Sequence, residues 1–215
     1  MEPTQALWPI HRFQFIYAFG FYAVSSFVWV FLKDYVYFFK HRKSGQFRQA
    51  FPKRETFRLF FYKAIYYALF IAMPLIFVEL DWYWILAGFV ASHLIEGLTL
   101  TITFMLAHIV EGTHFPEPGP DGKVDMSWAE MQLRTTTNFG TSSRVTNYLL
   151  GGLNFQVEHH LFPMICHTHY AKIAPIVKQT ALEHGLPYME YRTFGNALAS
   201  HLRMLWRFGR EVDPT

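Results

Sequence analysis

The chain has 215 residues, of which 52% are hydrophobic and 19% aromatic, whereas only 16% carry a formal charge. So little charge beside so much aromatic surface excludes a disordered chain, and a net charge of +3 is too small to indicate nucleic-acid binding. The single cysteine, Cys166, cannot form an internal disulfide. We expect a few membrane segments beside a polar layer that carries histidines.

Three apolar runs follow one another in the first half of the chain. The first, residues 13–31, is long enough to span a bilayer, but polar or small residues dilute it (Gln14, Gly20, Ser25, Ser26). The runs at 59–78 and 82–110 flank a short acidic turn, Glu79–Asp81. Together these two runs predict a transmembrane helical hairpin.

The distribution of basic residues predicts how this hairpin is oriented. The stretch Lys33–Arg58 holds eight Lys or Arg against two Asp or Glu, while the turn at 79–81 has no basic residue. Since basic loops stay in the cytoplasm, the turn is expected outside and the end of the second span, near His108, on the cytoplasmic side.

The second half of the chain is more polar and predicts a cytoplasmic helical cap over residues 125–210. It follows a loop rich in Pro and Gly at 117–122. Helices are expected at 143–160, 170–185 and 194–210, the last of them basic and amphipathic. The predicted fold class is therefore all-α, with no phosphate-binding glycine loop and no nucleophile motif of the form GxSxG.

The sharpest cluster among the eleven histidines lies in the segment 156–160, which reads QVEHH. On a helix, Gln156, His159 and His160 stand at i, i+3 and i+4 and share one face. Neutral imidazoles there could bind Fe, Zn or Cu. The alternative is a polar helix face whose histidines meet water.

Further histidines extend this hypothesis. His108 ends the second predicted span, and an ionisable residue at that depth indicates function. His93 and Glu96 lie one turn apart within the same span and are expected to pair with each other. His167 is expected beside the metal ligands. The remaining histidines are interpreted as solvated, surface or interfacial: His11, His41, His114, His169, His184 and His201.

Residues 152–163, GLNFQVEHHLFP, resemble the third histidine box of membrane fatty acid desaturases. Gln156 in place of a histidine resembles the front-end branch, which includes linoleoyl-CoA desaturase-like enzymes. Shorter stretches agree with that branch, at 11–14, 107–111, 172–178 and 185–188. The resemblance covers nearly the whole chain, which is interpreted as a single domain, 1–215.

The resemblance implies a centre of two non-haem Fe ions held by histidines. His159 and His160 match third-box ligands, His108 matches the ligand at a helix end, and Gln156 matches the position of the first box histidine. The upstream HxxxH and HxxHH boxes of the family do not occur before Gln156. We therefore expect a C-terminal part of a desaturase, with an incomplete ligand set and no activity by itself.

The implied reaction is the O2-dependent insertion of a double bond into a long-chain fatty acyl group, linked to CoA or to a lipid. Electrons would come from cytochrome b5 or a ferredoxin. The chain would be a multi-pass protein among membrane lipids with its histidine box on the cytoplasmic side. Residues 13–31 would then lie in the interface or re-enter. A membrane di-iron lipid hydroxylase and a non-catalytic membrane subunit or pseudoenzyme remain the alternatives.

Overall fold

The computed structural model describes residues 7–44 and 53–210 and is mostly helical, which confirms the all-α class. The first long helix begins with a 3-10 turn at Pro9–Phe13. It continues as α1 (Gln14–Phe27), a π-helical segment at Val28–Lys33, and α2 (Asp34–Ser44). The apolar run at 13–31 thus lies inside a longer helix.

The second and third apolar runs also form long helices. The second consists of α3 (Lys53–Tyr67), a π-helical segment at Ala68–Ala72, and α4 (Met73–Phe77). Pro74 cannot donate a backbone hydrogen bond and its ring crowds the preceding turn. The π-helical segment before it accommodates this interruption without ending the helix. A bend at 78–81 then leads into α5 (Trp82–His108).

Within the described residues, three helices are long and apolar enough to cross a membrane: Pro9–Lys40, Lys53–Phe77 and Trp82–His108. The helices predicted at 59–78 and 82–110 are found within one or two residues at their carboxyl ends. The chain is therefore a membrane protein by length and composition of its helices. The hairpin arrangement and the interfacial placement of residues 13–31 stay predictions.

The chain divides into two compact units, one formed by residues 19–100 and the other by residues 1–18 with 101–215. In the first unit, α1 and α5 approach closely at Gly97. A Cβ there would clash with the carbonyl oxygen of Ala23 and lie 3.0 Å from the backbone nitrogen of Ser26. Glycine at this position lets the two backbones meet.

A polar cluster lies inside the same unit, and it includes the predicted pair of His93 and Glu96. His93 is 4% exposed, and its Nδ1 lies 3.6 Å from the Glu96 carboxylate. The hydroxyl of Ser26 forms hydrogen bonds with both side chains. It lies 2.7 Å from Nδ1 of His93 and donates to the Glu96 carboxylate at 2.8 Å. Tyr66 contacts the other ring nitrogen of His93 at 2.5 Å. The pairing is confirmed, and Ser26 and Tyr66 complete it.

The second unit carries the remaining elements. They are α6 (Trp128–Thr135), β1 (Thr137–Phe139), α7 (Arg144–Leu149), α8 (Gln156–Leu161), a 3-10 turn at His167–His169, α9 (Tyr170–Glu183), β2 (Met189–Tyr191) and α10 (Phe194–Phe208). The two strands pair in parallel, with Asn138 opposite Glu190. Leu106, Ala107, Phe139 and Ala197 form the buried core at this sheet.

The single helix predicted at 143–160 is wrong, because α7 and α8 are separate. Gly151 and Gly152 between them adopt positive φ angles of 56° and 76°. Such angles suit glycine and reverse the chain at the end of a helix. α7 therefore ends at Leu149, and α8 begins separately at Gln156. The helices predicted at 170–185 and 194–210 are confirmed as α9 and α10.

The surface assignment of His201 is also wrong. Its side chain on α10 is fully buried, and its Nδ1 donates a hydrogen bond of 2.8 Å to the carbonyl oxygen of Ile109. Burial lowers the pKa of His201, so that the neutral ring is favoured. This histidine joins α10 to the segment that follows α5. His41 lies where no side chain is described.

Candidate metal centre

Three imidazole rings lie together in the unit formed by residues 1–18 and 101–215. The ring centroids of His108 and His160 are 5.0 Å apart, and those of His159 and His160 are 6.0 Å apart. His108 is the last residue of α5, whereas the other two follow one another on α8. The fold therefore brings together residues that are about fifty positions apart in sequence, as the sequence analysis expected.

One short helix, α6, fixes two of these rings. The Nδ1 atom of His108 donates to the carbonyl oxygen of Thr135 at 3.1 Å. The Nδ1 atom of His160 donates to the side-chain oxygen of Gln132 at 2.7 Å. Since a neutral imidazole has one N–H, each ring keeps a lone pair on Nε2. A histidine that binds a metal through Nε2 is held in this way by its other nitrogen.

The third ring, His159, is held from α9. Its Nδ1 lies 3.1 Å from the hydroxyl of Tyr170, a side chain that is 2% exposed. Among the residues that the structure describes, no hydrogen bond reaches the Nε2 atom of His108, His159 or His160. All three rings are thus anchored at Nδ1 and keep Nε2 for another partner.

Electrostatics keep His160 neutral. Its pKa falls to about 4, chiefly because the ring is buried, and the neighbouring rings of His108 and His159 lower it further. A proton on this ring would lose hydration and face two imidazoles that can also become positive. At neutral pH His160 is therefore a neutral ligand-type imidazole rather than a cation.

The carboxylate of Glu158, the residue before His159 on α8, is fully buried in a polar network. It accepts hydrogen bonds from the side-chain amide of Asn138 at 2.7 Å and from the hydroxyl of Tyr188 at 2.8 Å. The amide oxygen of Asn138 also accepts from the backbone N–H of Val157 at 2.9 Å. Burial raises the pKa of Glu158, although these hydrogen bonds oppose the shift. The network fastens α8 to β1 and to the segment before β2.

Gln156 lies on the same short helix and is 1% exposed. Its side-chain oxygen is buried, and within residues 7–44 and 53–210 it has no hydrogen-bond partner. A buried polar atom without a partner is uncommon and calls for an explanation such as an ion or ligand. Gln156 therefore holds a buried oxygen without a partner among those residues, on the same short helix as His159 and His160.

The donor chemistry of this cluster fits part of a metal site. Three imidazoles with anchored Nδ1 atoms and a buried amide oxygen are ligand types that iron accepts. Across the described ranges, however, no group of three or more His, Cys, Asp or Glu side chains is arranged so that it could hold a metal ion by itself. The described side chains therefore have the chemistry of iron ligands without forming a complete metal site.

His167, expected beside the ligands, is exposed at the start of the 3-10 turn at His167–His169. Its β-carbon packs instead where Gly152 lacks a side chain, since a Cβ at Gly152 would lie 3.0 Å away. His114 and His184 are exposed as expected. The role of His167 beside the metal stays a prediction.

The residues that orient the rings were not predicted from the sequence. Gln132, Thr135 and Tyr170 belong to no recognisable motif and reach the histidines only through the tertiary fold. One local signal did exist for α6: Ser127 caps it by accepting a hydrogen bond from the backbone of Glu130. Serine followed three residues later by glutamate is a helix-start signature.

The chain thus has helices long and apolar enough to cross a membrane and a cluster of imidazoles. These features define a membrane protein with a candidate metal centre. The family model for fatty acid desaturases matches residues 3–192, so the chain belongs to the fatty acid desaturase family. This confirms the resemblance found in residues 152–163.

The curated relatives support the same branch. The chain is 38% identical to an acyl-lipid (8-3)-desaturase of Physcomitrium patens, over 93% of this chain and 41% of that protein. It is 36% identical to an sn-1 linoleoyl-lipid 6-desaturase of Synechocystis sp., over 98% of this chain and 58% of that protein. A Delta(5) fatty acid desaturase A of Dictyostelium discoideum is 31% identical, over 99% and 46%.

The chain spans about half the length of the curated relatives it matches. No solved structure matches it. The family is therefore established, whereas the activity, substrates and partners of the whole protein are matters for proposal.

Proposed function

We propose that the chain is part of a membrane fatty acyl desaturase that inserts a double bond into a long-chain acyl group with O2. One observation carries this proposal: His108, His159 and His160 lie together, and each is held at Nδ1 by another part of the fold. Solvated histidines on a polar face would need no such anchoring.

The proposed cofactor is a pair of non-haem Fe ions. His108, His159 and His160 would hold it through Nε2, and Gln156 would lie beside them as a further ligand or hydrogen-bond partner. When bound, the irons supply the activation of O2 needed to remove two hydrogens from an unactivated acyl chain. We propose that this chain alone provides an incomplete ligand set and no turnover.

The protein contributes orientation and protonation state. Gln132 and Thr135 on α6 fix which nitrogen of each ring carries the proton. Burial keeps His160 neutral, so that a lone pair of its ring is available to bind a metal ion. The network of Glu158 and Asn138 fixes the short helix on which two of the rings stand.

The proposed substrate is a fatty acyl group carried on a membrane lipid, because relatives at 38% and 36% identity are named acyl-lipid and linoleoyl-lipid desaturases. A CoA-linked acyl group is the other form of the same substrate. Cytochrome b5 or a ferredoxin would supply electrons from the cytoplasmic side, where we place the histidine box.

A chimera tests the function directly. This chain replaces the matching part of the Synechocystis desaturase, and membranes are analysed for new double bonds and for bound iron. We expect unsaturated product, its loss on His108→Ala or His159→Ala, and little change on His184→Ala, an exposed histidine of the same unit.

Two outcomes would contradict the proposal. A folded chimera that binds iron but makes hydroxylated lipid would identify a hydroxylase. Equal activity of the His159→Ala chimera and the intact chimera would show that the His159 ring is not a metal ligand. Separately, full turnover by this chain expressed alone would refute the incomplete ligand set.

A further inference from the structure

A cleft in the unit formed by residues 19–100 has features that the proposed desaturase chemistry does not use. It has a volume of about 870 Å³ and lies between the π-helical segment with α2 on one side and α3 on the other. Its walls come from two candidate spans, Pro9–Lys40 and Lys53–Phe77. Some of the lining residues lie inside the basic stretch at 33–58 and the others lie next to it. It therefore lies where an apolar helix gives way to charged residues.

Charges of both signs line the cleft. Lys63 is firmly held: it forms an ion pair with Asp34 at 2.8 Å and donates to the carbonyl oxygen of Val30 at 2.6 Å. Arg58 pairs with Glu55 at 2.7 Å through one guanidinium nitrogen, and its side chain is 43% exposed. A guanidinium has five N–H donors in a fixed fork, so this contact leaves donors for an anion in the cleft.

Lys33 adds a third cation to the lining. It is exposed, and its ammonium lies 5.4 Å from the centroid of the Trp29 ring. Lys33 and Arg58 are thus cations on opposite walls of the cleft, and a phosphate is a group that such cations recognise. The carboxylates of Asp34 and Glu55 lie in the same lining, where each pairs with a cation and reduces the net positive charge of the cleft, so the cleft suits a group of low net charge better than it suits a simple anion.

Aromatic and aliphatic side chains complete the walls. Tyr37, Tyr62 and Tyr66 present rings, and Val30 and Leu59 present aliphatic surface. Aromatic faces beside carboxylates attract an organic ammonium group. Aliphatic surface next to such a site suits the glycerol backbone and first methylenes of a lipid.

We propose that this cleft binds the zwitterionic head group of a membrane phospholipid. Lys33 and Arg58 take the phosphate, the tyrosine rings take the ammonium, and the acyl chains continue along the apolar helices. Because every residue of the cleft belongs to residues 19–100, the proposal does not depend on the metal centre or on desaturase activity.

The test measures lipid retained by the full chain after purification in detergent. The chain is mixed with micelles that contain phosphatidylcholine, phosphatidylglycerol, phosphatidic acid or diacylglycerol, and bound lipid is counted by native mass spectrometry. We expect phosphatidylcholine to be retained at least several-fold more than diacylglycerol, and inorganic phosphate at equal concentration not to displace it.

A matched pair of variants separates this site from general charge attraction. Lys33→Gln with Arg58→Gln should lower phosphatidylcholine retention about tenfold. Lys40→Gln with Arg54→Gln removes the same charge from the same basic stretch, outside the cleft lining, and should change retention little. Melting temperatures of both variants establish that the fold is retained.

A third variant tests the ammonium side of the site. Tyr62→Leu should lower retention of phosphatidylcholine and leave that of phosphatidic acid, which has no ammonium group. Equal losses in the two charge variants, equal retention of diacylglycerol, preference for phosphatidylglycerol, or displacement by inorganic phosphate would each overturn the proposal.

Discussion

Replacing Asn138 by Leu tests whether the buried network positions the histidine box. Asn138 is fully buried on β1, and leucine has nearly the same size but no polar atom. The change leaves the backbone N–H of Val157 and one carboxylate oxygen of Glu158 without the partners that they have at 2.9 and 2.7 Å. Both groups are buried where water cannot replace these hydrogen bonds.

The expected cost follows from these two lost partners. Each buried polar group left unsatisfied costs about 1–3 kcal/mol, so Asn138→Leu should destabilise this unit by about 2–6 kcal/mol. That is a large part of the ~5–15 kcal/mol by which domains are usually stable. Glu158 keeps the hydrogen bond from Tyr188, which limits the loss.

Hydrogen exchange and thermal unfolding in mild detergent measure the effect. We expect faster amide exchange in residues 156–161 and a lower melting temperature for Asn138→Leu. Asn196→Leu, at an exposed position on α10, is the control and should change neither. If Asn138→Leu had the same amide exchange rates and melting temperature as the unmodified chain, the network of Asn138 and Glu158 would not be what holds α8 in place.

Three further predictions concern packing, pH and the metal ligands. Gly97→Ala should destabilise residues 19–100 by about 1–3 kcal/mol, because its Cβ clashes with Ala23, whereas Gly88→Ala on the same helix meets open space; equal melting temperatures would contradict this. Since burial lowers the pKa of His201, stability should fall as pH drops below its unfolded pKa of about 6.5. Burial of His160 adds to the same loss, so His201→Gln should reduce that slope in melting curves without removing it; an unchanged slope would exclude His201 as a source. In the chimera, Gln132→Leu should weaken iron binding about 10- to 100-fold; unchanged iron content on dialysis would refute the anchoring role.

Local features of the sequence were enough to predict the membrane helices and the box. An apolar run bounded by charges has few alternatives to a long helix, because unpaired backbone groups are costly in an apolar environment. The acidic turn at 79–81 therefore set the end of one helix and the start of α5 within a few residues. The segment 156–160 was recognisable because Gln156, His159 and His160 recur within about one helical turn.

Where two segments meet could not be predicted in the same way. The break between α7 and α8 depends on positive φ angles at Gly151 and Gly152. The pattern of apolar residues gives no sign of this break, because it continues on both sides as it would in a single helix. The strands β1 and β2 are three residues long and about fifty apart, too short to show a period of two.

The sequence by itself thus determined which side chains of this desaturase-family chain are candidate metal ligands, since donor chemistry belongs to the side chain. Tertiary structure alone decided how those donors are presented. Gln132 and Thr135 orient two rings from another helix, and Glu158 is buried rather than solvated. Burial and hydrogen-bond partners arise from segments distant in sequence, so they become defined only when the chain has packed.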